Sequence, residues 1–411
     1  MPIRPETFVA QRLYFSRQGN GRRNNAARPA VRVALAGIII GVMVMVVTIC
    51  VVVGFKRTVT EKVAGFGAHI QVVNFDNNNT YEMQPVAVSD SLLEKLNALP
   101  HVASAHIFVT KPGIIKTDAE FQGIVFKGTD YWEWFEQNLI EGVLPEKANE
   151  VLISREQARL LQLEAGSSFL CYFVDEDVRV RKFKVAGIYA TGFGDFDAMF
   201  VIGLPQVARQ LNGWSEPQAS GIEVLVDDIH HLSEATDYVY FATANRLDEN
   251  GNAFYTQTLE QLNPQIFSWL DLLDMNVVVI IFLMLCVSGF NIISGLIILI
   301  LDSITLIGTL KSLGADNRFV RRIFITEAAM LIGKGVLWGN VLGLVLCAIQ
   351  YFTHVLPLDA ATYYVSYVPI AFPWLGWLAL NLGTIAVSLL ILLAPSAIVT
   401  KISPAKVMHF E

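Results

Sequence analysis

Few residues in this 411-residue chain have the type and spacing to do chemistry. His230 and His231 adjoin Asp227 and Asp228, a set able to ligate a metal. Adjacent residues on a strand-to-helix turn point apart, however, so the run reads as a solvated loop. Asp175-Glu176-Asp177 offers calcium-type oxygens but lies between two strand-like runs, where a hairpin tip is the better reading. Gly333-Lys334-Gly335 is inside an apolar run and lacks the hydroxyl of a Gly-x-x-x-x-Gly-Lys-Ser/Thr loop, so no nucleotide-hydrolysing loop is present. No Ser/His/Asp order and no Cys/His pairing stands out. Of four cysteines, Cys50, Cys286 and Cys347 fall in apolar runs, which leaves Cys171 as a buried small hydrophobe with no disulfide partner. The sequence therefore assigns no catalytic residue, no cofactor and no metal. It does not read as an enzyme, nor as a nucleic-acid binder.

What must position any functional residue is a membrane scaffold. Apolar runs fill residues 33–53, 275–301, 323–349 and 372–399. At 1.5 Å per residue, each is long enough as a helix to cross a hydrocarbon core of about 30 Å. The first run is a retained anchor: it begins well inside the chain, and Gly54-Phe55-Lys56-Arg57 follows it in place of a small-x-small cleavage site. Charge is divided sharply. Segments 1–32, 302–322 and 400–411 together carry +9, while 54–274 carries −15. Short basic segments stay in the cytoplasm. Hence 1–32 is expected to be a cytoplasmic amphipathic segment, with arginines among Phe8, Val9, Leu13, Tyr14 and Phe15 that suit a lipid surface. Residues 54–274 form a large outer domain, 302–322 a cytoplasmic loop, 350–371 an outer loop and 400–411 a cytoplasmic tail.

The outer domain alternates strand-like runs (68–74, 107–110, 123–126, 168–174, 178–189, 199–202, 222–226) with helical stretches (89–98, 154–161, 204–211, 231–247, 258–270). The expected fold is thus a membrane α-helical protein of four transmembrane helices, with a large α+β domain inserted between the first and second. Trp374 and Trp377 sit where an interfacial aromatic belt would.

In the cytoplasmic loop, Ile304, Leu306, Ile307, Leu310 and Leu313 give a short helix one apolar face, Lys311 adds a charge, and Gly314 ends it in a tight turn. Such a helix either docks in a partner's groove or lies at the interface alone. Gly335, Gly339 and Gly343 recur every four residues, as do Gly37 and Gly41, which leaves nearly bare faces for helix packing. Lys334 lies deep in the third run, where a charge costs about 2.5–3.5 kcal/mol. It either faces a cavity between subunits or snorkels.

The chain resembles the lipoprotein-releasing ABC permeases of the LolC/LolE type, within the MacB/FtsX-like permease group. The likeness covers nearly the whole chain. It rests on Ala36-Gly37-Ile38, Gly41-Val42, Gly54-Phe55, Asn149-Glu150-Val151-Leu152-Ile153, Val185-Ala186-Gly187-Ile188 with Thr191-Gly192, Asp195 and Asp197, Phe290-Asn291-Ile292, Leu313-Gly314-Ala315 and Ser403-Pro404-Ala405-Lys406. The outer loop Leu356-Pro357-Leu358-Asp359 with Tyr363-Tyr364-Val365-Ser366 resembles the lipoprotein-releasing branch most. The resemblance implies a bacterial inner-membrane subunit with both termini cytoplasmic and its large domain periplasmic. It implies an ABC-type ATPase partner, a second permease (a copy or a paralogue), lipoprotein cargo and a periplasmic lipoprotein carrier. The short helix becomes the coupling helix, and Val42, Val46, Phe282, Phe290 and Lys334 become walls of a cargo cavity. Two departures stand out: Leu301-Asp302-Ser303 lacks the family's basic residues, and 174–180 is too short for the hairpin that grips the carrier. An FtsX-like regulator of a cell-wall hydrolase is the first alternative, although its outer domain is usually smaller. A MacB-like efflux permease is the second, disfavoured because that branch carries its ATPase at the N-terminus.

Overall fold

The computed structural model describes residues 8–9, 11–12, 27–77, 82–117, 120–174, 178–244 and 246–396. Most of the amphipathic segment, the acidic run 175–177 and the tail 400–411 lie outside the described residues. The chain forms two compact units, one of residues 1–56, 270–356 and 368–411, the other of residues 57–269 and 357–367.

Four helices long and apolar enough to cross a membrane occupy Ala27–Gly67, Pro264–Asp302, Asn317–Thr353 and Trp374–Ser396. The first three outrun their apolar stretches. The first continues through Lys56 and Arg57 and well beyond; the second begins at Pro264, a residue suited to a helix start because its missing N–H is unpaired there anyway. Thr258 caps a separate one-turn helix, Leu259–Leu262, through a reciprocal bond with Gln261. The single helix expected over 258–270 is therefore two elements.

The membrane unit has one apolar core. Ile38, Val42, Met45 and Val46 of the first helix meet Ile292 and Leu296 of the second, Phe324 and Ile332 of the third, and Leu380 and Leu392 of the fourth. The glycine faces make this approach possible. A Cβ on Gly335, Gly339 or Gly343 would fall 2.4, 2.6 and 3.1 Å from Ile38, Val42 and Val46, and one on Gly37 or Gly41 would strike Asn291 or Ser288. Bare faces bring backbones close where lipid supplies no hydrophobic drive. The third and fourth helices are also joined by polar groups: Trp377 Nε1 donates to Asn340 Oδ1 (2.6 Å), and the amides of Asn340 and Asn381 bond each other (2.6 and 3.1 Å).

The other unit is built on a mixed sheet. Its strands are β1 (Ile70–Asn74), β2 (Val86–Ala87), β3 (Val102–Lys116), β4 (Phe121–Thr129), β5 (Leu139–Gly142), β6 (Glu150–Ser154), β7 (Ser168–Val174), β8 (Val178–Tyr189), β9 (Phe200–Gly203), β10 (Gln218–Ala219), β11 (Gly221–Val226) and β12 (Phe254–Thr258). The main sheet runs β12-β1-β11-β3-β4-β9-β6-β8-β5, with β7 bridging β3 and β8; β2 and β10 form a separate pair. The long β3 pairs with β11 at its start and with β7 at its end, so the sheet is continuous and no subdomain boundary cuts it. In β7, Phe169, Cys171 and Phe173 alternate inward, and burial pushes the Cys171 thiol up to about 12. The β7–β8 hairpin closes with Val174 opposite Val178.

Candidate functional site

The last turns of the first long helix lie within the sheet unit and are fixed there by two kinds of contact. Gly65 leaves room for Trp134, whose indole would meet any Cβ at that position. Phe66 then packs among Trp134, Phe196 and Phe200 at 4.8, 5.2 and 5.8 Å between ring centroids. Its carbonyl, one of the helix's unpaired last acceptors, takes a hydrogen bond from the Lys127 ammonium. A cation at this end also complements the helix dipole. Lys127 of β4 is paired at 2.7 Å with Glu223 of β11, and Gln71 of β1 donates to the same carboxylate at 3.2 Å. Lys127 and Glu223 are both almost fully buried. Burial pushes the Glu223 carboxyl up, while Lys127 and Gln71 pull it back. Beside the pair is a cavity of about 130 Å³, lined by Phe66, Gln71, Phe108, Lys127, Glu223 and Gln257 among others. It is well below the roughly 300–1,000 Å³ of a small-molecule site, and suits a few waters.

The motif Thr191-Gly192 with Asp197 makes a second fixed point in the same unit. Asp197 is buried and accepts from the Thr191 hydroxyl at 2.6 Å and from the Gly192 N–H at 3.0 Å. Burial raises its carboxyl pKa, and these donors hold the rise in check. The turn so formed presents Gly192 O to Lys62, which also donates to Tyr364 O at 3.2 Å. Phe193 stacks on Tyr364 at 4.8 Å. Residues 357–367, between the third and fourth long helices, are thereby held against this unit, and Leu358 N–H bonds Ser366 O within them.

In the membrane unit the residues singled out for cargo separate into two groups. Val42 and Val46 are wholly buried against Gly339 and Gly343, where the glycine stripe draws the first helix onto the third. Phe282 and Phe290 lie on an open apolar face of the second helix, 64% and 71% exposed. Lys334 is half-buried and sits one position before Gly335. The short helix after the second long one runs Ile304–Ser312. Its apolar face is not free as expected: Ile307 is fully buried in the core and Leu310 packs on it. Ile304, Leu306 and Lys311 are half-buried, whereas Leu313 (80%) and Gly314 are exposed beside Thr309 and Ser312. The outward surface is thus mainly polar, with Leu313 as its large apolar residue.

Sequence reasoning missed Phe66, Lys127, Glu223 and Tyr364 as partners. The visible signal was a lysine and a glutamate at inward positions of otherwise apolar strands. It also missed His101, which the structure brings to His231 and Asp227. Only the pairing of β3 with β11 places these residues together.

Four membrane-length helices with an α+β domain inserted after the first define a polytopic membrane protein. The chain belongs to the family described as MacB-like periplasmic core domain, matched over residues 33–239, and residues 278–404 match the FtsX-like permease C-terminal family. It is similar to the lipoprotein-releasing system transmembrane protein LolE of Haemophilus influenzae, 23% identical over 90% of this chain and 92% of that one. LolC of Xylella fastidiosa is 22% identical over 95% and 96%. The pyoverdine export ATP-binding/permease protein PvdT of Pseudomonas entomophila is 24% identical over 75% of this chain and 48% of its own length. The chain is thus a permease of this MacB/FtsX-like kind, similar end to end to LolE and LolC.

Proposed function

We propose that the chain is the permease subunit of an ATP-driven inner-membrane complex that lifts lipoproteins from the membrane for delivery to a periplasmic carrier. The observation that carries this is the end-to-end likeness to LolE and LolC, over 90–95% of the chain. The charge division supports both termini in the cytoplasm and the sheet domain in the periplasm. ATP hydrolysis belongs to a separate ABC-type subunit, and a second permease, as a copy or a paralogue, completes the membrane part.

In this reading the ATPase contacts the short helix at Leu313, Lys311 and the Gly314 turn, with Ile304 and Leu306 at the margin. Ile307 and Leu310 transmit the push into the membrane core. Phe282, Phe290 and Lys334 face the cargo. Removing an acyl chain from lipid costs about 0.8 kcal/mol per CH₂, so the step requires an energy source. The joint around Phe66 and Lys127 keeps the end of the first helix and the sheet domain moving as one body.

Purification from membranes in mild detergent, followed by mass spectrometry of the retained molecules, tests the reading. A P-loop ATPase with acylated lipoproteins supports it. The ATPase with a cell-wall hydrolase moves the chain to an FtsX-like regulator, and the ATPase with a small-molecule export partner moves it to the efflux branch. An intact complex lacking any ATPase overturns the coupling role. Lys334→Leu is expected to lower lipoprotein release without lowering membrane insertion; full release would remove Lys334 from the cargo path.

A further inference from the structure

We infer that the sheet domain carries a binding site for a first-row transition dication of the zinc type, formed by His101, Asp227 and His231. These residues come from three places: the turn before β3, the end of β11 and the 3₁₀ turn that follows it. One ligand atom from each lies within 4.8 Å of the others. His101 Nδ1 is 3.4 Å from one carboxylate oxygen of Asp227, and His231 Nδ1 is 3.4 Å from the other. Zinc holds nitrogen and oxygen at about 2.0–2.2 Å, so ligand atoms on a tetrahedral ion are about 3.4 Å apart. Each histidine nitrogen stands at that distance from its own oxygen of Asp227, so the carboxylate lies between the two imidazoles. A turn of the Asp227 carboxylate and of the half-buried His231 ring would bring one oxygen and both nitrogens onto a single ion.

The ligands are held by backbone bonds that no ion is needed to form. Asp227 N–H donates to His101 O at 3.1 Å, which fixes the two against each other at the end of the β11–β3 ladder. His101 takes a left-handed backbone (φ 63°) that turns its ring toward Asp227. The Asp228 side chain accepts from His230 N–H at 2.9 Å and shapes the turn that delivers His231, and the two imidazole rings lie 4.0 Å apart.

Glu234 supplies the part that an accidental histidine pair lacks. Its carboxylate lies 3.6 Å from His101 Nε2, the nitrogen opposite the one that faces Asp227. A metal-bound histidine typically gives its second N–H to a carboxylate, which sets the tautomer and makes the ligating nitrogen more basic. With an ion on Nδ1, the Nε2–H of His101 would face Glu234. Two imidazoles and one carboxylate favour zinc, copper or nickel over calcium or magnesium, and a solvent-facing fourth position is left for water. The ion would clip helix Leu232–Thr243 to the end of the central strands.

The test uses the full chain in detergent, stripped with a chelator and titrated with Zn²⁺ against a chromophoric competitor. One equivalent should bind, raise the unfolding temperature and resist excess Ca²⁺ and Mg²⁺. His101→Ala and His231→Ala should each weaken binding at least tenfold, Glu234→Gln by about tenfold, and His230→Ala not at all. His101→Asn and His231→Asn, checked for unchanged gel-filtration profile and circular dichroism, cover the case in which alanine unfolds the turn. X-ray absorption of the zinc-loaded chain should show a mixed nitrogen and oxygen shell with two imidazoles. Absence of binding by the wild type, or equal binding by the double histidine variant, overturns the site.

Discussion

Two places where helices meet their surroundings are built in opposite ways. The end of the first long helix is enclosed: Phe66 lies in an aromatic cluster and Lys127, Glu223 and Gln71 satisfy one another and the helix carbonyl inside the sheet domain. The short helix Ile304–Ser312 buries one side through Ile307 and leaves Thr309, Ser312 and Leu313 open. The first arrangement cannot separate without exposing a paired charge to an apolar core. The second can accept and release a partner with no such penalty. In the proposed function, a push received at the one and a firm hold at the other need one of each.

That contrast can be broken in graded steps. Glu223→Ala leaves the Lys127 ammonium buried and uncompensated, an expected loss of about 3–5 kcal/mol, read by unfolding of the purified chain. A loss under about 1 kcal/mol, the range of exposed pairs, would mean that water reaches the pair through the adjoining cavity. Ile307→Ala should cost about 2–5 kcal/mol in the same assay, because the side chain is core and not docking surface. If stability is unchanged and ATPase binding is lost, the helix faces outward after all. Asn340→Leu should cost about 0.6–1.7 kcal/mol, seen as a lower unfolding temperature in detergent.

Asp248 supplies a pH-dependent step. Against the desolvation of partial burial, the N–H groups of Ala87, Asn252 and Asn250 hold its carboxyl below the usual range. A folded-state pKa below the unfolded value of about 4 gives stability that is present above that value and lost as pH falls through the folded one. Melting temperature should therefore drop less between pH 5 and 3, roughly the carboxylate range, in Asp248→Asn than in the wild type; identical slopes would discard this group. Leu313→Glu is the smallest in stability, within about 0.5 kcal/mol, but should abolish stimulation of the ATPase partner. Normal stimulation would remove Leu313 from the coupling surface.

The four membrane helices and the inserted domain were legible because a span of apolar residues is a length measurement that needs no partner. Alternating strands such as β7 and β8 were legible for a similar reason. β6 was read only as a motif: Val151, Leu152 and Ile153 are all buried, so the strand shows no alternation. The burial of Ile307 was hidden because one apolar stripe looks the same whether its groove belongs to the chain or to a partner. The burial of Val42 and Val46 was hidden for the same reason. The Lys127–Glu223 and His101–Asp227 pairs were beyond reach, since their members are 96 and 126 residues apart and meet only through strand pairing.

The amide pair Asn340 and Asn381, with Trp377, also bears on how the chain is made. Within its own helix each asparagine only donates, Asn340 to Val336 O and Asn381 to Trp377 O, so alone in hydrocarbon its Oδ1 would have no partner, and each supplies the other's. The third helix is therefore incomplete as a membrane segment until the fourth has emerged from the ribosome. The two should leave the insertion machinery together as a hairpin, and a chain truncated after Thr353 should be held there or degraded.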